Sequence, residues 1–223
     1  MSGNFVQRGD FALVRKHARA EAAVRSGADL VLELPLPWAV SSAEGFASGG
    51  ARVLAATGLV TVLSFGSECG DAAALSAAAD CLDSDEYREE LRRLLDGGRA
   101  SYASCRQAAV ERLLGAERAA LLSGPNNNLG VEYLRALRRI GSPLAPLTFR
   151  REGAAHDGPE ADGLPSASLL RSLVEQGRRD EALAGMERSS LTMTTSLPHH
   201  PRSQETIPPK RSWPGGKRPD FIR

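Results

Sequence analysis

The stretch "SFGSE", residues 64–68, closes an apolar run with a glycine followed by a hydroxyl and an acid. A glycine there lets the backbone come close to a ligand. In open α/β sheets ligands bind beyond the carboxyl ends of parallel strands, so Gly66 is a candidate small-molecule contact. The same residues also read as a plain strand-to-helix turn, with Ser67 or Asp71 capping the next helix. "GPNNN", residues 124–128, has amide side chains that could hydrogen-bond a ligand and a composition that equally suits a turn. Arg150 and Arg151 end an extended segment, where one can reach a phosphate while the other faces solvent; a solvated pair is the alternative. "PSASLLR" sets Ser166, Ser168 and Arg171 at a helix start, where free N–H groups and hydroxyls make an anion site, although ordinary capping explains the serines as well. Gln7, Arg8 and Gly9, with Asn4, suit a phosphate-facing loop after a strand, yet no strand precedes them.

Other chemistries are excluded by pattern. The chain has no GxxxxGK[ST], HExxH or GxSxG, and no GxGxxG after a strand, so the P-loop, zincin, α/β-hydrolase and dinucleotide fingerprints all fail. Cys69, Cys81 and Cys105 are odd in number and lack CxxC spacing, and they read as reduced thiols rather than a metal or disulfide set. His17 lies in a basic helix and His199 and His200 in a proline-rich stretch; His156, in "REGAAHD", is the histidine closest to the candidate arginines.

These residues need a scaffold, and periodicity supplies one. Residues 11–25 read as an Ala-rich helix stopped at Ser26-Gly27, and "DLVLELP", residues 29–35, as a buried strand ended by proline. Ser41 and Glu44 suggest a capping box opening a helix that closes at Gly58, and residues 59–66 read as a second strand. Strand, helix, strand implies a right-handed crossover and a parallel sheet. Three helical patterns without an intervening strand then fill residues 73–122, a helical insertion. Residues 123–178 return to a loop at "GPNNN", a helix, an extended segment over residues 143–151 and a last helix. The fold class expected is α/β, a Rossmann-like parallel sheet with a helical insertion. Residues 189–223 hold six Lys or Arg against two Asp or Glu, and six prolines fall from Pro198 to Pro219; the stretch over residues 179–223 is expected to be disordered.

Of the 223 residues 42% are hydrophobic, enough to bury one good core. Lys plus Arg number 28 against 27 Asp plus Glu, and this net charge of +1 selects neither a nucleic-acid nor a small-molecule partner. No long apolar run or signal-peptide pattern occurs, so a cytoplasmic location is expected.

In their order, "MSGNFVQRG", "RAEAAVRSGADLVLELP", "SSAEGFASGGARVL", "LSFGSE", "GPNNNLGVEYLRAL", "TFRREGAAHD" and "SASLLR" resemble consecutive segments of the bacterial tRNA(Met) cytidine acetate ligase family, within the HIGH-type nucleotidyltransferase superfamily. The resemblance covers residues 1–175 and implies an enzyme that activates acetate with ATP to acetyl-adenylate and acetylates N4 of the wobble cytidine of elongator tRNA(Met). It implies that Gly66, Asn126 and Arg151 bind ATP, with Asn127 beside Asn126 and Arg150 as an alternative to Arg151. Gln7, Arg8 and Gly9 would face the active centre, Ser166, Ser168 and Arg171 would form a second phosphate clamp, and Mg²⁺ would accompany ATP. No catalytic side chain is assigned. The resemblance divides the chain into a partial nucleotidyltransferase core at residues 1–72, the insertion at 73–122, the rest of the core at 123–178 and a tail unlike the family at 179–223. The family's first strand and HxGH-like loop have no counterpart in the 223 residues, so an N-terminally truncated chain with little acetyl-adenylate synthesis is expected. The alternatives are a small-molecule nucleotidyltransferase of the same superfamily and a non-catalytic binding remnant.

Overall fold

The computed structural model of the chain describes residues 1–7, 9–98, 101–151, 160–161, 164–165, 167–182 and 184. Its elements run α1 (Lys16–Arg25), α2 (Leu36–Ala39), α3 (Ala43–Ala56), β1 (Val62–Ser67), α4 (Ala72–Asp83), α5 (Asp85–Asp96), α6 (Tyr102–Leu114), α7 (Ala116–Ala120), α8 (Pro125–Arg139), β2 (Ala145–Arg150), the two-residue strands β3 (Glu160–Ala161) and β4 (Leu164–Pro165), and α9 (Ala167–Glu175). The α/β class holds. β1 and β2 pair in parallel, from Val62 opposite Ala145 to Ser67 opposite Arg150, and the helices α4 to α8 lie between them in the chain.

Local chemistry explains most boundaries. Asp71 Oδ1 accepts from the N–H groups of Ala73 (2.8 Å) and Ala74 (3.1 Å) and so starts α4. Ser84 caps α5 and Ser101 caps α6 in the same way. Four expectations change. The helix expected from residue 11 begins at Lys16, because Phe11 instead bridges Phe5 and stacks on it with ring centroids 4.7 Å apart. The cap of α3 is Ser42, whose Oγ accepts from Gly45 N, while Ser41 Oγ donates to Trp38 O and Glu44 pairs with Arg139. The asparagine triplet is no loop: Gly124 is the N-cap and Pro125, whose ring presets a helical φ, leads Asn126 to Asn128 into the first turn of α8. The stretch over residues 29–35 forms no strand; only Leu34 pairs, bridging Ser2 in parallel. The stretch expected to be disordered lies largely outside the described residues.

Two apolar clusters make up the core. Leu75, Ala79, Leu82, Ala109, Val110, Val131 and Leu134 bury the helices α4 to α8 against one another. Ala47, Ala51, Leu63, Ala136, Leu137 and Leu144 seat α3 and α8 against β1. Phe65 packs against both clusters, and its ring lies 5.5 Å from that of Tyr133. Helix α8 therefore contributes to each.

Hydrogen-bond polarity shows what β1 presents to solvent. Ala145 N donates to Thr61 O and Arg151 N to Ser67 O, each at 2.9 Å, so the odd-numbered residues of β1 face β2. Along a strand the direction alternates, so Val62, Ser64 and Gly66 turn their N–H and C=O groups to the opposite edge. Among the described residues no strand pairs there. On β2 the same alternation turns Pro146, which lacks an N–H, away from β1. Beside the open edge lies a groove of about 530 Å³, lined by Leu30, Leu32, Val53, Leu54, Val60 and Leu63 among others. At its mouth Leu59 is 79% and Leu30 60% exposed. Unpaired backbone beside exposed apolar side chains favours edge-to-edge association. Light scattering of the purified chain is expected to give a mass that climbs with concentration; a constant monomer mass would contradict this. Among the described residues no helix is long and apolar enough to cross a membrane.

Candidate nucleotide site

Gly66, Asn126 and Arg151 come from β1, the first turn of α8 and the residue after β2, and they meet at the carboxyl end of the parallel strands. Arg151 Nη1 donates to Asn126 Oδ1 at 2.7 Å. A Cβ placed on Gly66 would lie 2.7 Å from Arg151 Cγ and 3.2 Å from its Cδ, so the missing side chain is what lets the arginine stem cross over the strand. Gly66 also presents its N–H and C=O at the unpaired edge of β1.

The turn after β1 is fastened from three sides. Ser67, fully buried, shares a hydroxyl bond with Thr148 (2.8 Å) and accepts from Gly70 N at 3.0 Å, so it closes the turn rather than capping α4. Gly70 adopts φ +66°, and a Cβ there would sit 2.7 Å from the backbone nitrogen of Arg150. Asn127 is buried, and its Oδ1 accepts from Cys69 N at 3.1 Å. Asn128 Oδ1 accepts from Arg106 Nη1 at 2.9 Å, joining α6 to the start of α8. Arg106 and Arg135 also bind the buried Glu132, at 3.2 and 2.9 Å. Burial pushes the Glu132 carboxyl up, while Arg135 and then Arg106 pull it back.

One residue of the site received no role from the sequence. Glu68 Oε1 accepts from Asn126 N (2.9 Å) and Asn126 Nδ2 (2.7 Å), and its Oε2 accepts from Asn127 N (2.5 Å). The carboxylate thus fills the N-terminus of α8, whose glycine N-cap offers no side-chain acceptor. Burial works to raise its pKa, but the bonds from Asn126 and Asn127 outweigh that and hold it below the ordinary glutamate range. The signal was available: a helix opening Gly-Pro-Asn needs an acceptor from elsewhere, and the acid of "SFGSE" is one.

Other expected contacts lie apart. Gln7 Nε2 donates to Ser41 O at 3.4 Å, and Gly9, at φ +83°, donates to Val6 O. Among the described residues no hydrogen bond or ion pair joins Gln7, Gly9 or the partly buried Arg171 to the cluster. Arg150 is exposed and Arg151, not Arg150, reaches Asn126. Arg8 and Ser166 lie outside the described residues, as does the side chain of Ser168. His156 and the tail that follows Ala184 lie outside them too.

The cluster offers a guanidinium with donors to spare, an amide N–H and free backbone groups at a sheet edge, a combination that suits a phosphate-bearing ligand. Gly66, Asn126 and Arg151 supply no nucleophile and no general base, and the Glu68 carboxylate beside them is occupied by N–H donors. Among the described residues no three acidic, His or Cys side chains gather to hold a metal, and both Glu68 oxygens are taken by N–H donors.

A model of the HIGH Nucleotidyl Transferase family matches residues 1–209. The chain belongs to this family. Among curated proteins, the tRNA(Met) cytidine acetate ligase of Caldanaerobacter subterraneus subsp. tengcongensis is 41% identical over 180 residues, 79% of this chain and 45% of that one. That of Acetivibrio thermocellus is 42% identical, covering 78% of this chain and 43% of the relative, and that of Syntrophotalea carbinolica 44%, covering 82% and 44%. The chain spans about half the length of the curated relatives it matches. Among solved structures, apo Thermotoga maritima TmcAL superposes with a TM-score of 0.78 at 39% identity, over 83% of this chain and 45% of that one. The same protein bound with alpha-thio ATP superposes at 0.74, over 82% and 44%. In this member of the HIGH Nucleotidyl Transferase family, the cluster lies at the sheet edge where α/β folds place ligands.

Proposed function

We propose that this chain carries an ATP-binding part of a tRNA(Met) cytidine acetate ligase. The observation that supports the reading is the convergence of Gly66, Asn126 and Arg151 at the carboxyl edge of the sheet, in a chain about 40% identical to ligases of that name. In the reaction an acetate oxygen attacks the α-phosphorus of ATP, the bond to the bridging oxygen breaks and pyrophosphate leaves. The acetyl group of the adenylate then passes to N4 of the wobble cytidine of elongator tRNA(Met). Such a step requires placement in line and neutralisation of charge rather than a side-chain nucleophile, and the cluster is built for that. Arg151 would meet the phosphates, Asn126 the nucleotide, and Gly66 would give it room against the backbone.

Calorimetric titration tests the reading on the chain itself. ATP is expected to bind once per chain, and a sulfamoyl mimic of acetyl-adenylate to bind more tightly than AMP, because it fills the acetyl and nucleotide positions together. Failure of both ATP and the mimic to bind would overturn it.

A further inference from the structure

We infer that Glu68 is the positioning residue of this site: its carboxylate fixes the orientation of the Asn126 amide, and that amide in turn holds the Arg151 guanidinium. The inference rests on the reading of Asn126 and Arg151 as nucleotide-facing residues. Its basis is donor and acceptor logic. A carboxylate only accepts and a guanidinium only donates, so between them the Asn126 amide has one arrangement that satisfies both: Nδ2 toward Glu68 at 2.7 Å and Oδ1 toward Arg151 at 2.7 Å. Turned over, the amide would set oxygen against carboxylate and N–H against guanidinium.

Glu68 is itself held from the opposite side. The backbone N–H groups of Asn126 and Asn127 fix its two oxygens, and a Cβ on Gly124 would stand 2.7 Å from Oε2, so the turn before α8 leaves just the space the carboxylate fills. Glu68 makes no ion pair with Arg151 among the described residues. Its influence on the arginine passes through an amide, which transmits orientation rather than charge.

The test is the isosteric Glu68→Gln, alone and combined with Arg151→Ala. A glutamine amide has one oxygen where three N–H donors converge, so Asn126 is expected to turn over and release Arg151. ATP affinity measured by calorimetry should fall about tenfold or more, on the scale of a lost charge-assisted hydrogen bond. In the Arg151→Ala background the same substitution should add nothing, since its route to the ligand is gone. In nuclear magnetic resonance spectra without nucleotide, the Arg151 Nε–H signal should move in Glu68→Gln although residue 68 does not touch it. Additive losses, or an Arg151 signal that stays in place while thermal stability drops, would overturn the inference and leave Glu68 as a helix cap only. If Arg151→Ala leaves ATP affinity unchanged, or ATP does not bind at all, the nucleotide-site reading falls instead, and the Arg151 signal still decides whether Glu68 positions it. Should Glu68→Gln fail to fold, Glu68→Asp, which keeps the charge at a shorter reach, gives the same readout with a smaller displacement.

Discussion

Gly66→Val is expected to leave the chain folded and to weaken ATP binding about as much as Arg151→Ala does. The backbone of Gly66 needs no conformation reserved for glycine, and a β-branched residue suits a strand, so the substitution carries little intrinsic cost. Its Cβ would press on Arg151 Cγ at 2.7 Å, and an arginine stem is free to swing aside. In swinging it leaves Asn126 Oδ1. Both variants thus remove the same guanidinium, one by deletion and one by displacement, and each should cost about 1.5–3 kcal/mol of ATP affinity, tenfold to a hundredfold in Kd. Calorimetry on variants first shown to be folded by circular dichroism makes the comparison. Unaltered affinity in both would mean a turn glycine and a solvated arginine, and an effect on melting alone would mean that the cluster serves the fold.

Leu75→Ala should be the most damaging truncation for stability. Leu75 is fully buried in the helical cluster, and its Cδ1 reaches within 3.2 Å of where a Cβ on Gly130 would stand, so α4 and α8 touch there across a position with no side chain to spare. Removing the isobutyl group leaves a cavity that two rigid helices cannot close, at a cost of about 2.5–5 kcal/mol. Urea unfolding should show the midpoint falling with the slope unchanged. A loss under about 1 kcal/mol would mean the helices collapse into the space.

Much of this arrangement could be read from the residues because it is local. Helices α4, α5 and α6 begin at Asp71, Ser84 and Ser101, acceptors placed just before apolar periodic runs, and β1 stands where Gly58 ends one pattern and a β-branched run begins. Gly66, the Asn triplet and the Arg150–Arg151 pair stand out as residues, while the choice of Asn126 and Arg151 within them rests on the family resemblance. What periodicity could not give is what depends on distant partners. Residues 29–35 have the composition of a strand, yet a strand exists only where a ladder forms, and among them just Leu34 forms a β-bridge, to Ser2. The start of α8 was hidden for a similar reason: three asparagines suggest a turn, and what makes them helical is Pro125 together with a carboxylate 58 residues earlier in the chain. Glu68 becomes legible only once Gly-Pro-Asn is read as a helix start that needs an acceptor from elsewhere, rather than as a turn.

Because α8 lies in both apolar clusters, with Val131 and Leu134 in one and Ala136 and Leu137 in the other, neither half of the core can open without stripping a face of this helix. Its amide protons should accordingly be the last to exchange with deuterium, at rates set by global unfolding. Helix α1 is the opposite case: it buries no residue and is tied down by Arg19, which donates to the carbonyls of Val14, Ser2 and Gly3, and by the Lys16–Glu33 pair. Its amides should exchange first, through fraying that leaves both clusters closed. The chain thus has a hierarchy of opening in which the helix bearing Asn126 sits at the slowest end, so the groups assigned to the nucleotide stay in register while the periphery loosens.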